Sequence, residues 1–412
     1  MTVPVINATI NFSTGPSTAQ AMQLDIGVLG TNVLADAVAV IVDVSDRINF
    51  IQTAVGRNAL YDQFQTGQLT LRIVDQNGDF NPTNPLGPYY GLLTPMKKVS
   101  IAATYNSVTY PLFSGFITSY VNTQPKDATE VAYTTIQAVD AMRLAYNAQI
   151  STVTGASAGD LSGTRINEIL DEIDWPASQR QIDPGQTTLQ NDPGTARTAL
   201  GAMQTVAQSE YGAIYVGFDG SFVFKDRLTA TETIGNTPTV FADDGTGIQY
   251  ANAAWKLDDT LIFNSAQVSR LSGTVQSASN QASIDKYFIH SYNAQDLLMQ
   301  TDAVALDYAR AYVASRAETT IRCDAIELDL YTPNYATGIV AALNLDFFDP
   351  ITVITTQPGG SKLEKTLQIF GVSNIITPNS FKVVFTTLEP VIDGFIIGNV
   401  DYGVLDQNVL SY

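Results

Sequence analysis

The chain is poor in basic residues. Its 412 residues carry 21 Lys and Arg against 40 Asp and Glu, a formal net charge of −19. A protein that grips nucleic acid from an open face needs clustered cations to neutralise phosphates, and no such basic surface is present. Adhesion to anionic membranes is disfavoured on the same ground. A negative surface does suit one setting beside nucleic acid: the wall of a channel through which DNA slides without sticking. Cysteine is nearly absent. Cys323 stands alone, which excludes an internal disulfide or a cysteine-based metal cluster and reads as a small buried residue in a strand. Histidine is equally scarce. His290, set among Tyr287, Phe288 and Tyr292, has no partner of its own kind, and one imidazole makes neither a zinc site nor a triad. No segment approaches the roughly 20 apolar residues of a membrane span. The first residues (MTVPVINATI) lack a basic start followed by a long apolar run. The expectation is a soluble protein without a membrane anchor, folded in the cytoplasm.

What the chain does have is β pattern. At 412 residues it is long for one core, and two to four domains are expected. Residues 1–36, with GVLGTNVL at Gly27–Leu34, suit an arm or an edge. Ala37–Val44 (AVAVIVDV) is a near-continuous apolar run that predicts a strand buried on both faces, with Asp46 and Arg47 beyond it as a candidate pair. The most distinctive passage runs from Gln68 to Tyr120. Leu69, Leu71 and Ile73 alternate with Thr70 and Arg72 as a strand. Asn77-Gly78 marks a tight turn, and a Pro/Gly-rich crossing follows. Val99–Thr104 and Leu112–Tyr120 then pair around a bend at Asn106-Ser107, and Val131–Met142 is a strand running into a short helix. Within the turn, Asp75, Asn77 and Asp79 look like a truncated calcium loop. They are weak metal candidates, because the full motif also needs a Glu near its end, and none is present.

From Gln149 to Gly163 the composition shifts to Ser, Thr, Ala and Gly, which reads as a flexible linker at a domain boundary. Gly155-Ala156-Ser157-Ala158-Gly159 matches the nucleophile-elbow pattern of serine hydrolases, with His290 downstream. The elbow needs a buried strand before the Ser and a helix directly after it, and Gly159–Gly163 interrupts any helix. Arg165–Ile173 and Thr195–Glu210 carry helical periodicity, and Gly212–Lys225 reads as a hairpin tipped by Asp219-Gly220. Glu168, Asp171, Glu172 and Asp174 beside Trp175 could serve a glycosidase as acid and base; a solvated helix face looks the same.

After Thr237 the β character returns, through Gly247–Leu257 and Asn264–Leu271, with a polar, loop-like stretch at Gln276–Ile284. Asp302–Arg316 is the clearest helix, striped by Ala305, Tyr308, Ala309, Tyr312 and Val313 and capped by Asp302. Four strands follow: Asp324–Leu330, Ile351–Thr356, Thr366–Val372 and Phe381–Thr387. The segment 391–412 has no Lys or Arg and reads as a tail that docks onto another surface or subunit.

One ordered series of motifs resembles a known family. LTLRIVDQNGDFNPTNPLGPYYGLLTPMKKVSI at Leu69–Ile101, then LFSGFI at Leu112–Ile117, is similar to minor tail proteins of long-tailed bacteriophages. The likeness continues through Asp174-Trp175-Pro176 with Arg180–Asp183, through Ser209–Gly212 with Asp219-Gly220 and Phe224–Arg227, and through Ser283–Tyr287 before the Asp302–Arg316 helix. It ends at Gly394–Tyr412. Phe288 stands where the family has Gly. These proteins resemble the central baseplate hub of contractile-tailed phages. The resemblance implies a mainly β fold with an α+β insertion: two β-barrel-like, tail-tube-related domains flanking a small α+β domain. Residues 1–148 would form the first, completed by about residues 246–275, with the insertion at 149–245, the second at 276–390 and the docking tail at 391–412. It implies a structural, non-enzymatic protein of the virion tail tip, assembled in the host cytoplasm as a homotrimer around a DNA channel. Its partners would be the tail tube or distal tail protein, the tape-measure protein, and tip or fibre proteins, with no cofactor. A hexameric distal ring protein, a tail-associated cell-wall or glycan hydrolase using Glu168 or Asp171, and a receptor-binding adhesin are the alternatives.

Overall fold

Leu69, Leu71 and Ile73 are buried and Arg72 is exposed, so the alternation in the sequence is the alternation of a sheet face. The computed structural model describes residues 3–13, 40–57, 63–123, 130–229, 233, 236–332 and 336–389. Its main sheet has 13 strands, nearly all antiparallel. From one edge the path runs Asn252–Lys256, Arg322–Asp329, Ser380–Leu388, Lys362–Thr377, Ile48–Gly56, Gln65–Val74, Tyr133–Val139, Val108–Thr123, Lys98–Tyr105, Val5–Asn11 and Ile41–Asp43. Pro350–Thr356 pairs with Lys362–Thr377 and, in parallel, with Thr239–Ala242. Among the described residues this path does not close into a barrel.

The join between the two ends of the chain is the Ile48–Gly56 strand laid against Lys362–Thr377, with Gly56 opposite Gly371 and Ile51 opposite Ile376. Ser373 Oγ donates to the Thr53 carbonyl at 2.9 Å, and Asn374 Nδ2 to Thr53 Oγ1 at 3.0 Å. Gly56 has φ +110, and a Cβ there would lie 2.3 Å from the Phe370 carbonyl oxygen, so only glycine allows the approach. The Asn106-Ser107 bend has both residues at positive φ (50 and 66), as a two-residue hairpin with the twist of its strands requires.

Apolar side chains gather in three clusters. One lies on the main sheet and draws on residues from Ala8 to Ala138 in the first strands and from Phe241 to Leu388 in the last, with Tyr215 and Val223. A second is built around the helices Ser162–Glu172 and Ala199–Glu210 and a three-stranded sheet of Ala213–Val216, Phe222–Lys225 and Arg180–Ile182. The third packs the Asp302–Arg316 helix on a sheet of Gln276–Ser279, Ser265–Arg270 and Ser291–Leu297.

Several expectations change. The Ala37–Val44 run is not a strand buried on both faces: its described part, Ile41–Asp43, is the edge strand of the sheet, with Ile41 59% exposed, and residues 37–39 lie outside the described residues. Gln276–Ile284 is not a loop. It holds the Gln276–Ser279 strand and the start of the Gln281–Tyr287 helix, whose cap Asn280 accepts from Ser283 N. Within residues 246–275, Asn252–Lys256 pairs with Arg322–Asp329 in the main sheet, and Ser265–Arg270 pairs with Ser291–Leu297 in a separate one. The Asp302–Arg316 helix is capped by Thr301, which accepts from Val304 N, while Asp302 pairs with Arg270 at 2.6 Å. Gly27–Leu34 and the 391–412 tail lie outside the described residues. Among the described residues, no helix is long and apolar enough to cross a membrane.

Candidate functional site

Ser157 heads a pinned loop. Its N–H and Oγ both donate to the Asp160 carboxylate, at 2.5 and 2.9 Å, and its carbonyl accepts from Arg165 Nη2 at 2.8 Å. Arg165 is fully buried and pairs with Asp160 and Glu168, so the Gly/Ser-rich stretch is anchored rather than a flexible linker. The helix opens only at Ser162, and no strand leads directly into Ser157, so the elbow geometry is not formed. His290 Nε2 contacts the Tyr287 carbonyl at 3.2 Å, on another cluster of the molecule. Cys323 is buried, and burial pushes its thiol up to about 11.

The acidic face of the Ser162–Glu172 helix is likewise occupied with structure. Burial, with the nearby Asp160 carboxylate, raises Glu168 while Arg165 holds it. Asp171 pairs with Arg180 at 2.7 Å, and Glu172 accepts from Thr154 N at 2.6 Å. Trp175 is no exposed sugar platform. It is 7% exposed and meets the Phe222 ring edge-on at 5.1 Å.

At the Gln68–Tyr120 turn, Asp75 faces inward. One carboxylate oxygen accepts from Asp79 N at 2.7 Å; the other accepts from Phe80 N at 3.1 Å and Thr134 Oγ1 at 2.7 Å. Asp79 pairs with Arg47 at 2.7 Å, and Asn77 is exposed. Arg47 thus turns to Asp79 and not to its neighbour Asp46. The donor set of this turn is committed to the chain's own N–H, hydroxyl and guanidinium groups, and among the described residues no group of three or more candidate ligands gathers.

The motifs of the second cluster meet around Glu210. This 1% exposed carboxylate accepts from Ser162 Oγ at 2.8 Å, Thr187 N at 2.7 Å and Gln186 N at 3.1 Å. Gly185 has φ +82, and a Cβ on it would fall 1.8 Å from Ser162 Oγ. Arg180–Ile182 runs parallel to Phe222–Lys225, and Lys225 pairs with Asp183 at 3.3 Å. Residues scattered over 162–227 in sequence therefore make one polar clamp.

Where the three apolar clusters meet lies a cavity of about 350 Å³. Phe64, Phe348 and Phe370 line it from the first, the end of the Ala199–Glu210 helix with Tyr211 from the second, and Tyr292 and Tyr308 from the third. Gln208 Nε2 donates to Tyr292 Oη at 3.1 Å, and the Tyr292 and Tyr308 hydroxyls lie 3.1 Å apart. Burial and the neighbouring tyrosines push Tyr308 well above its usual value, so it stays neutral. Arg57, Arg227 and Arg316 also reach the cavity, with Asp226 the carboxylate among its lining residues. Arg57 sits over the Phe370 ring at 3.9 Å and Arg316 over the Tyr312 ring at 4.4 Å. No local signal could have found this site, because its three arginines come from positions 57, 227 and 316, far apart in sequence.

No protein-family model matches the chain, and no curated protein does. Solved structures similar to it include two tail proteins. One is a 43 kDa tail protein of prophage MuSo2 from Shewanella oneidensis, 10% identical, with 85% of this chain and 96% of that one covered and a TM-score of 0.53. The other is a tail protein from Neisseria meningitidis MC58, 11% identical, with 83% and 96% covered and a TM-score of 0.53. At such identities the likeness is one of fold, and this chain has the fold of these tail proteins.

Proposed function

We propose that this chain, built on the fold of prophage tail proteins, is a structural hub of a bacteriophage tail tip. The observation that carries the reading is the extent of the likeness, which takes in 96% of the length of each of the two tail proteins. The hub is a homotrimer around a channel. It joins the tail tube or distal tail protein to tip and fibre proteins, meets the tape-measure protein, and lets DNA pass without specific binding. A net charge of −19 supports the last point, since an acidic wall repels phosphates. Its work is self-assembly through strand pairing and buried apolar area between subunits, with no catalytic step. The two β-rich parts are the tube-related, barrel-like domains once neighbouring subunits complete them.

The test is symmetry. Native mass spectrometry and class-averaged micrographs of the purified protein are expected to give a three-fold ring with a central pore. A six-fold ring would replace the hub by a distal ring adaptor. Clearing of peptidoglycan or capsule by the purified protein, lost in Glu168→Gln or Asp171→Asn, would overturn the structural reading in favour of a hydrolase.

A further inference from the structure

We propose that Phe288 and Ile289 form a contact through which one copy of this chain grips a second copy. The inference rests on the reading of the chain as a self-assembling ring and names a place where that assembly is held. It starts from a backbone kept against its own preference. The residue after the Gln281–Tyr287 helix sits at φ 65 and ψ 179, a region that only glycine enters without strain, and helix ends commonly take glycine here. This chain carries phenylalanine instead, with its ring 79% exposed and Ile289 exposed beside it. A strained backbone that turns an aromatic ring out to solvent brings the single chain no stability. Its use lies in what covers the ring.

The surrounding bonds hold the base of the ring still. Phe288 N donates to the Ile284 carbonyl at 2.9 Å, and the Phe288 carbonyl accepts from Asn264 Nδ2 at 2.7 Å. Asn264 is fully buried and its Oδ1 accepts from His290 N at 2.8 Å, so one side chain clasps the backbone on both sides of the apolar pair. Lys286 Nζ and Tyr287 Oη both reach Glu318, at 2.8 and 3.0 Å. Beyond Glu318, Thr319 Oγ1 donates to the Asp258 carbonyl at 2.7 Å, which brings the exposed Leu257 and Ile321 into the same neighbourhood. An aromatic anchor on a fixed backbone, with further apolar residues around it, loses little freedom when it is covered.

The occupant follows from charge. Two molecules that each carry −19 repel one another, so copies are held by apolar burial at a place that sets no unpaired like charges face to face. This knob meets that condition. Lys286 is paired with Glu318, and Asp285 accepts from Gln281 Nε2 at 2.7 Å, which leaves the apolar pair as the recognising group. A basic partner finds its complement in the acidic surface at large and has no need of a strained phenylalanine.

The experiment uses the full chain with photoreactive benzoylphenylalanine in place of Phe288, as light and heavy isotope-labelled protein mixed while dilute and then concentrated. Cross-links from position 288 that join the two labels are the expected result. Native mass spectrometry over a dilution series is expected to show Phe288→Gly needing about ten-fold or more higher concentration than the parent to assemble. Phe288→Tyr, which keeps the ring, is expected to assemble as the parent does. Read while dilute and monomeric, the urea midpoint of Phe288→Gly is expected to lie above the parent's, so the lost assembly is not lost folding. Cross-links confined to one label, no cross-links, or Phe288→Gly assembling at the parent's concentration would overturn the proposal. A parent that assembles indifferently to Phe288→Gly overturns this inference alone, whereas a parent that stays monomeric at every concentration overturns the ring reading with it.

Discussion

Glu210 and Ser162 are joined by a 2.8 Å hydrogen bond in which the Ser162 hydroxyl donates to a carboxylate that is 1% exposed. The same carboxylate takes the N–H groups of Gln186 and Thr187, so it satisfies three donors from two separate segments. Removing it strands those donors in a closed interior. Glu210→Ala is expected to destabilise the protein by about 3–5 kcal/mol, and Glu210→Gln, which keeps one acceptor, by less. Urea denaturation checks both, and equal stability of Glu210→Ala and the parent would refute the clamp.

Phe288 has φ 65 and ψ 179, a region that only glycine occupies without strain. It is also 79% exposed, so its ring contributes little burial. Phe288→Gly is expected to raise stability by about 1 kcal/mol, whereas Phe288→Ala, which keeps a Cβ, gives no gain. The shift in the urea midpoint of the two variants reads the difference directly.

These two sites also mark how far the sequence carries. The Asp302–Arg316 helix is legible because its apolar positions keep one period throughout, and the observed bounds are the expected ones. The Gly212–Lys225 hairpin is legible because Asp219-Gly220 states its turn. The Gln281–Tyr287 helix is not, because its residues are polar and tertiary bonds hold it: Ser283 Oγ donates to the Ala317 carbonyl, and Asn264 Nδ2 to Ser283 Oγ and the Phe288 carbonyl. Ile41–Asp43 misleads for the opposite reason, since an apolar run says nothing about whether a strand lies at the centre or the edge of its sheet. Glu210 belongs to a recognisable motif, yet its partners Ser162 and Thr187 are assigned only by the folded chain.

Asp75 and Thr134 tie the Asn77-Gly78 turn to the Tyr133–Val139 strand across 59 residues. With both carboxylate oxygens taken, calcium has to displace protein donors to bind. The melting temperature is therefore expected to be the same in millimolar calcium and in chelator. Asp75→Ala is expected to lower stability by about 2–4 kcal/mol, because three donors lose their acceptor. A calcium-dependent rise in melting temperature that is lost in Asp75→Ala would restore the metal reading.

Cys323 is buried in the Arg322–Asp329 strand, with its thiol raised to about 11. A thiol that is both neutral and covered does not attack a disulfide reagent. Native protein at pH 8 is expected to leave Ellman's reagent unreacted over minutes, and unfolded protein to react with one equivalent. Fast labelling of the native protein would show that this strand opens.

Asp140 lies between the Tyr133–Val139 strand and the Met142–Asn147 helix and is 2% exposed. Its Oδ2 accepts from Gly67 N at 2.5 Å and its Oδ1 from Met142 N at 2.9 Å. Burial outweighs these bonds and raises its pKa from 3.8 to about 7. Between those two values the folded state keeps a proton that the unfolded state has released. The protonated form's stabilisation is fully present below the unfolded pKa and is lost as pH rises through the folded one, at about 1.4 kcal/mol per pH unit. Asp140→Asn removes the titration. It also turns an amide toward Gly67 N, so the variant is less stable overall, and the pH slope is the readout. Urea midpoints of parent and variant from pH 4.5 to 8 are expected to converge as pH rises and to run parallel above about 7. Curves parallel over the whole range would mean that Asp140 is ionised throughout, with the two backbone N–H groups overcoming burial.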